Sequence, residues 1–250
     1  LDAVIVGTYH NVQSSIIEQC ISKKINVFVE KPGGISAKHL NELIKKNKKR
    51  KIIVKVGYNH RIHPAFVKAK KILQINKLGK ILYLRAIYGH GGRKNYNKEW
   101  RFNKKIAGGG ELIDKGSHLI DLSRYLLGEL KVSHAELKNY FWKSSVDDNC
   151  FFILSNRKNQ IAFLHASSTE WKNKFIFEIC CKFGKIEISG LGRSYGLQNM
   201  KIYKMKKNMG IPSLRTYSFK TTENSLDKEI TNFKNDIINK KASSPNLYDI

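Results

Sequence analysis

The first sixty residues alternate between short apolar runs and segments whose apolar residues recur at helical spacing. The runs at 3–6, 27–29 and 52–56 are rich in β-branched residues, which is typical of strands buried on both faces of a parallel sheet. Between them we predict one helix capped by Ser14 or Ser15 and a second capped by Ser36. Such alternation implies parallel strands joined by right-handed crossovers.

The pattern changes in the middle of the chain. A helix after Pro64 is expected to end near Gly79, and a longer helix is expected over about 110–127. Alternating, strand-like stretches occur at 81–88, 150–154, 160–167, 175–181, 185–188 and 201–203, and an amphipathic helix is predicted at 226–238. The sequence therefore predicts an α/β protein with two domains. Residues 1–77 form part of a doubly wound parallel sheet, and residues 78–250 form an α/β domain with a large, open, mainly antiparallel sheet.

The composition indicates a globular protein in a reducing compartment. The chain has 250 residues, of which 41% are hydrophobic, and this length suffices to bury a core. No apolar run approaches the roughly 18 residues that cross a bilayer, and no leader pattern opens the chain. The four cysteines form no C-x-x-C pair, which favours reduced thiols over disulfides or zinc. We therefore expect a cytoplasmic protein without a membrane partner.

The charge balance raises nucleic acid as a possible partner. There are 46 Lys and Arg against 20 Asp and Glu, a net charge of +26, and such a field attracts polyanions. The lysines are spread along the whole chain, however, and no helix-turn-helix, finger or RNA-binding motif is visible. The densest run, at 45–51, is interpreted as a solvated helix end. We therefore expect no nucleic acid partner, and a basic nucleic-acid-binding protein remains an alternative.

The first candidate chemistry is the tripeptide Glu30-Lys31-Pro32, which ends the second predicted strand. Ligands of open α/β sheets bind at the carboxyl ends of the strands. A lysine there, beside a carboxylate, can have its protonation tuned by burial and by its partner, which suits proton exchange with a hydroxyl. Taken alone, the tripeptide is equally consistent with a surface ion pair.

The second candidate is a D-x-x-x-H motif, Asp114 and His118, preceded by three glycines at 108–110. Residues four apart lie on one helix face. The carboxylate could orient the imidazole and stabilise its charged form, which makes His118 a candidate general acid or base. The spacing also fits metal ligands, but no third ligand is evident, and we predict no metal. The alternative is a surface pair, although the glycines would allow a ligand or backbone to approach closely.

Together and in this order, the motifs resemble the Gfo/Idh/MocA oxidoreductases, a family named after glucose-fructose oxidoreductase and inositol dehydrogenase. The resemblance runs nearly end to end. It is carried by the strand that leads to Thr8, by Glu30-Lys31-Pro32, by the segment GYNHR at 57–61 and by the glycine-rich helix at 108–118. It implies a partial Rossmann domain, a C-terminal α/β domain, and NAD or NADP as the cofactor.

The resemblance also implies roles for individual residues. Lys31 and His118 would be the acid/base pair around the reacting carbinol, with Asp114 orienting His118 or contacting substrate hydroxyls. The residues that fall at nicotinamide-lining positions are Thr8, His10, Gln13, Glu30, Lys31 and Asn59. No G-x-G-x-x-G turn precedes a strand, and the nearest match, at 190–196, is interpreted as a hairpin. We therefore expect this chain alone to be inactive and to bind dinucleotide poorly.

Substrate selection is expected from the segments at 88–93 and 99–101. Arg93 and Arg101 could hold a phosphate or carboxylate, and Trp100 could stack on a sugar or base. Alternatively, Trp100 is a core residue that the arginines cover. Similar segments in proteins of bacterial surface-sugar metabolism favour a sugar, nucleotide-sugar or polyol substrate. A sugar-binding relative without turnover remains possible, and the open sheet predicts a homodimer or homotetramer.

Overall fold

The computed structural model describes residues 1–220 and 224–250. Its first sheet is parallel, with the strand order β1 (Ala3–Val6), β2 (Asn26–Glu30) and β3 (Val54–Gly57). All three strands lie where the apolar runs predicted them. Their carboxyl ends meet at one edge of the sheet, as parallel pairing requires.

Helices α1 (His10–Lys23) and α2 (Ala37–Arg50) connect these strands. Helix α1 begins at His10, four residues before the earlier of the two predicted caps, Ser14. Tyr9 precedes the helix without a side-chain cap, and Ser14 is buried inside the helix. Helix α2 starts as predicted: the Ser36 hydroxyl accepts a hydrogen bond of 3.3 Å from the His39 amide. The basic run at 45–51 ends α2, as expected.

The second sheet has eight strands and agrees with the predicted large, mainly antiparallel sheet. They are β4 (Ile81–Gly89), β5 (Lys131–Lys138), β6 (Asn149–Ser155), β7 (Ile161–Ser167), β8 (Lys174–Cys181), β9 (Gly184–Ser189), β10 (Gln198–Lys204) and β11 (Ser213–Phe219). The strand order is β11-β10-β9-β8-β4-β7-β6-β5, and only the central pair β4 and β7 is parallel. Residues 190–197 join the antiparallel neighbours β9 and β10, so the predicted hairpin is confirmed.

Helices cover one face of this sheet. They are α3 (Pro64–Gln74) and α5 (Ser117–Leu127), whereas the short helix α4 (Lys104–Ala107) contacts α1. A π-helical turn, Leu112–Gly116, leads into α5. The core between them contains Phe66, Leu84, Leu119, Leu164 and Phe177, all fully buried. The second layer is therefore a helix-covered open sheet.

Packing crosses the predicted domain boundary near Lys77, which itself stays a prediction. Phe66 of α3 lies in the core of the large sheet. Helix α6 (Ser225–Ile238) instead packs on the small sheet, where Phe233 contacts Phe28 with ring centroids 6.1 Å apart. The amphipathic helix predicted at 226–238 is thus present, and its apolar side covers the N-terminal sheet.

The four cysteines are buried and unpaired. Within residues 1–220 and 224–250, no group of His, Cys, Asp or Glu is arranged to hold a metal ion. No helix in that part of the chain combines the length and apolar character needed to cross a membrane.

Candidate active site

The two motifs meet at the carboxyl edge of the small sheet. Lys31 follows β2 directly, and its Nζ donates hydrogen bonds to the backbone oxygen of Asp114 at 2.6 Å and to its Oδ1 at 2.7 Å. Asp114 lies in the π-helical turn that leads into α5. Such turns are rare and occur frequently at functional sites. Residues 83 positions apart in the sequence are therefore joined by a direct ion pair.

The Asp114 carboxylate lies between two ammonium groups. Lys115 Nζ is 2.9 Å from Oδ2, on the side opposite the Lys31 contact, and is also 3.0 Å from Glu111 Oε2. Burial would raise the pKa of Asp114, but the Lys115 and Lys31 ammonium groups outweigh burial and hold this pKa well below its usual range. Asp114 is therefore ionised and fixed in place.

His118 does not pair with Asp114, contrary to the prediction. Its Nδ1 is buried and has no hydrogen-bond partner among the described residues, and both Asp114 oxygens accept hydrogen bonds from lysines instead. The imidazole instead stacks on His60 at 4.1 Å and packs edge-on against Tyr58 at 5.8 Å. Burial first, and then the nearby Lys31 ammonium, lowers the pKa of His118 well below its ordinary value. The imidazole is therefore neutral, and its charged form is not stabilised as the sequence suggested.

Two of the glycines before this turn, Gly108 and Gly110, are required by the local backbone geometry. Gly108 ends α4 with a left-handed conformation, φ 84°. A Cβ on Gly110 would lie only 1.8 Å from the Asp147 backbone oxygen. The Asp147 carboxylate accepts hydrogen bonds from the amides of Gly110 at 2.9 Å and Leu112 at 2.7 Å. The close approach thus involves backbone, and Asp147, which the sequence reasoning did not single out, caps the turn that presents Asp114.

Two predicted cofactor residues are engaged within the protein. Gln13 is fully buried, and it donates to the Thr8 backbone oxygen at 3.3 Å and accepts from the Gly33 amide at 3.0 Å. His10 is also buried, and its Nδ1 donates to the Ala107 backbone oxygen at 3.0 Å. Gln13 therefore links the loops after β1 and β2 instead of presenting a free amide, and His10 links α1 to α4.

The other predicted cofactor residues lie at the strand ends. Thr8 follows β1 and is exposed. Glu30 is the last residue of β2, and burial raises the pKa of its carboxyl. Asn59 follows β3, where its Oδ1 accepts from His60 Nδ1 at 2.8 Å. The three polar side chains thus share one edge of the sheet with Lys31.

The predicted substrate residues divide into two groups. Arg101 lies over the Trp100 ring, 4.6 Å from its centroid, and its Nε is 4.0 Å from Asp114 Oδ2. Trp100 is partly buried against His10 at 4.9 Å, so it is a wall of the site instead of a core residue. Arg93, by contrast, donates two hydrogen bonds of 2.7 Å to Glu99. The structure thus brings Trp100 and Arg101 to the site, and it pairs Arg93 with Glu99, whose Oε2 also lies 3.9 Å from Arg101 Nη1.

Sequence reasoning missed several residues of the site. His60 and Tyr88 contact the His118 ring, with centroids 4.1 Å and 6.2 Å away. Lys115 is almost fully buried, with 7% exposure, and a buried lysine needs partners. The one sequence feature that pointed to Lys115 was its position inside the D-x-x-x-H motif, between Asp114 and Gly116. No signal in the sequence indicated that its ammonium group would face Asp114.

Comparisons with known proteins place both halves of the chain in one family. Residues 1–58 match the model described as "Oxidoreductase family, NAD-binding Rossmann fold", and residues 66–187 match the "GFO/IDH/MocA C-terminal domain". Together these two matches cover most of the chain.

Curated relatives include a levoglucosan dehydrogenase of Pseudarthrobacter phenanthrenivorans, 30% identical over 56% of this chain and 36% of that protein. A myo-inositol 2-dehydrogenase of Thermotoga maritima is 29% identical over 52% of this chain and 37% of that protein. The matched segments thus span little more than a third of each relative.

Solved structures share the fold over the whole chain. A levoglucosan dehydrogenase in complex with NADH and levoglucosan superposes with a TM-score of 0.89 at 22% identity, covering 100% of this chain and 74% of that one. A 3-ketoreductase from Actinomadura kijaniata, in complex with NADP and TDP-benzene, gives 0.81 at 16% identity with 100% and 74% coverage. By its two family matches, its fold and the joined motifs, the chain belongs to the Gfo/Idh/MocA oxidoreductase family.

Proposed function

We propose that this chain forms the active-site region of an NAD(P)-dependent oxidoreductase. It would transfer a hydride between nicotinamide and a secondary hydroxyl or keto group of a sugar, nucleotide-sugar or polyol. The observation that carries the proposal is the ion pair between Lys31, at a parallel strand end, and Asp114, on the helical layer of the second sheet. Relatives named as levoglucosan and inositol dehydrogenases support this substrate class.

The strand-end residues fit one end of the cofactor. Thr8, Glu30 and Asn59 follow or end three neighbouring parallel strands, the position at which open α/β sheets bind ligands. They would hold the nicotinamide and its ribose, whether the cofactor is NAD or NADP. When bound, the nicotinamide supplies the hydride donor or acceptor, and the protein supplies placement.

Lys31 is assigned the proton exchange with the reacting oxygen. An ammonium group has three N–H donors, and Asp114 accepts two of them. The third can be donated to a substrate oxygen in the same cleft. Because Asp114 is ionised and held by Lys115, it fixes the direction of the Lys31 side chain. This fixed direction is what proton transfer at a defined atom requires.

His118 is assigned the orientation of the same hydroxyl. Its imidazole is neutral, since burial and the Lys31 ammonium group lower its pKa. A neutral imidazole keeps one nitrogen with a lone pair, which can accept a hydrogen bond from a hydroxyl. Stacking on His60 fixes the ring plane. Lys31 and His118 would thus contact one substrate oxygen from two sides.

The test uses the full-length protein and a panel of sugars, polyols and nucleotide-sugars. Reduction of NAD⁺ or NADP⁺ by each compound is monitored by absorbance. We expect turnover with at least one compound, and its loss in Lys31→Met. The control Lys45→Met removes an exposed ammonium group from α2 and should keep full activity. A panel member that binds without any turnover would instead identify a sugar-binding relative that has lost the reaction.

Cellular context and assembly complete the proposal. We propose a cytoplasmic enzyme of surface-sugar metabolism that forms a homodimer or homotetramer through the exposed face of the large sheet. Apolar side chains on that face, including Tyr83, Ile161 and Phe163, support the assembly.

A further inference from the structure

The hairpin tip between β10 and β11 exposes apolar and basic side chains together. Residues 205–212 form this connection, in which Met209 is 68% exposed and Ile211 is 84% exposed. Lys206 and Lys207 are exposed beside them. Single exposed apolar residues are common on proteins and need no explanation. Here the hairpin tip is only the first part of a larger surface of the same kind.

A second turn joins the hairpin tip. The Met209 amide donates to the Lys206 backbone oxygen at 3.1 Å, which closes the tip, and the Met205 amide donates to the Phe183 backbone oxygen at 3.0 Å. Phe183 lies in the turn between β8 and β9 and is exposed. Lys182 lies over its ring, 5.1 Å from the centroid. The second turn therefore repeats the combination of an exposed apolar side chain with a lysine.

A groove of about 620 Å³ extends this surface from the hairpin to the end of α3. Two exposed apolar side chains lie in it, Ile75 after α3 and Leu214 on β11. The cations that line the groove are Lys68, Lys71, Lys77, Lys204 and Arg215. We call the groove and the two turns the basic apolar patch.

The segments that form most of the basic apolar patch contain no carboxylates of their own. No Asp or Glu occurs between residues 43 and 98 or between residues 188 and 222. These two stretches supply α3 with its following turn, and the β10–β11 hairpin. The positive charge of the patch is therefore not balanced within these segments, and such a surface attracts anions.

The apolar side chains decide which anionic partner fits. Nucleic acids are bound through phosphate contacts and base stacking on aromatic rings, which leaves aliphatic Ile211 and Leu214 without a counterpart. An anionic bilayer takes both features, because apolar side chains enter the boundary between headgroups and acyl chains while lysines contact the lipid phosphates. We propose that the basic apolar patch attaches the protein peripherally to an anionic membrane surface. The expectation of no membrane partner rested on the lack of a spanning run, which peripheral binding does not need.

Attachment through this patch leaves the candidate active site accessible. The Lys182 amide donates to the backbone oxygen of Lys80, just before β4, at 3.0 Å. At the other end of β4, Tyr88 contacts the His118 ring. At about 3.3 Å per residue, the two ends of this strand lie roughly 25 Å apart. Membrane binding and substrate binding therefore use different ends of the large sheet.

The test is flotation of the full-length protein with vesicles of phosphatidylcholine, with and without phosphatidylglycerol. We expect tighter binding to the vesicles that contain the anionic lipid, and weaker binding as salt is added. The double variant Lys206→Gln/Lys207→Gln should bind roughly 25-fold more weakly, because each cation near such a surface contributes about fivefold. The control Lys48→Gln/Lys49→Gln removes two exposed charges from α2 and should bind like wild type.

The apolar contribution is tested separately. Ile211→Ser removes the most exposed apolar side chain of the hairpin tip and should weaken vesicle binding about fivefold or more. Val132→Ser changes an exposed apolar residue on β5, the opposite edge strand of the sheet, and should leave binding unchanged.

Several results would overturn the inference. One is the absence of binding to anionic vesicles. Another is an equal loss in the α2 control pair, which would show that only net charge matters, and a third is wild-type binding by Ile211→Ser. Binding to RNA without binding to vesicles would identify a nucleic acid partner instead. The measurement needs neither cofactor nor hydride transfer, so its outcome is independent of the proposed function.

Discussion

At the scale of single residues, the site is a compact set of charges, in which Lys115 and Glu111 are buried and Lys31 and Asp114 are partly exposed. Asp114 balances Lys31 and Lys115, and Glu111 adds a second carboxylate to Lys115. The sequence, through the family resemblance, placed Lys31 and Asp114 in one site. It could not place Lys115, because neighbouring residues of a regular helix point in different directions and the π-helical turn changes those directions locally.

Neutralising Asp114 should destabilise the protein strongly. Asp114→Asn keeps the side-chain shape but leaves two poorly solvated ammonium groups without their shared anion. We expect the free energy of unfolding to fall by about 3–5 kcal/mol, measured by urea denaturation.

A matched control is Glu99→Gln, which removes a carboxylate from the ion pair with exposed Arg93. This change should cost no more than about 1 kcal/mol. Equal losses for the two variants would contradict the special role assigned to the buried cluster.

At the scale of elements, the sequence predicted the helices and strands but missed where two helical segments begin. Buried strands and the Ser36 cap follow from local pattern and local hydrogen bonding. The start of α1 at His10 does not, since no side chain caps it and His10 is held by Ala107, 97 residues away. The start of the Asp114 turn likewise depends on Asp147, which is distant in sequence.

Gly110→Ala tests this long-range support. The new Cβ would collide with the Asp147 backbone oxygen, 1.8 Å away, and must push the turn from its cap. We expect the free energy of unfolding to fall by about 1–3 kcal/mol, which thermal denaturation would show as a lower melting temperature. Gly7→Ala, where nothing lies within 4 Å of the added Cβ, should leave the melting temperature nearly unchanged. An unchanged melting temperature for Gly110→Ala would contradict the tight packing of this turn against the Asp147 backbone.

Helix α6 should give stability a pH dependence through Glu229. Burial, with a smaller effect of the Glu30 carboxylate, raises the pKa of Glu229 from 4.5 to about 8. The folded state thus favours the protonated form, so this contribution is complete below pH 4.5 and is lost as the pH rises towards 8. The slope is at most about 1.4 kcal/mol per pH unit for one proton.

Denaturation between pH 5 and 9 measures this slope. Glu229→Gln should flatten the profile, and Asp227→Asn, an exposed change on the same helix, should not. A wild-type profile equal to that of Glu229→Gln would contradict the buried, protonated carboxyl.

At the scale of the whole molecule, the two sheets are held together by segments distant in sequence. The family resemblance and the strand pattern predicted two sheets of the right kinds. They could not predict that α6 packs on the first sheet, because an amphipathic stripe shows that a face is buried without showing what buries it. The open face of the large sheet leaves apolar residues exposed on adjacent strands, with Tyr83 opposite Ile161.

This face should mediate self-association. Phe163 is 48% exposed at the centre of the sheet, and Phe163→Glu would place charge there. We expect sedimentation velocity to show a dimer or tetramer for wild type and a smaller species for the variant. Ile211→Glu, outside the sheet, should assemble like wild type. A wild-type monomer at all concentrations would contradict this arrangement.

The measurement that tests the central claim most directly is the turnover number of Lys31→Met and His118→Asn in the full-length protein, with urea denaturation alongside to confirm folding. If both side chains contact one reacting oxygen, each variant should lose at least about 10²-fold in kcat, and the double variant should lose much less than the product of the two. Wild-type kcat in either folded variant would contradict the account.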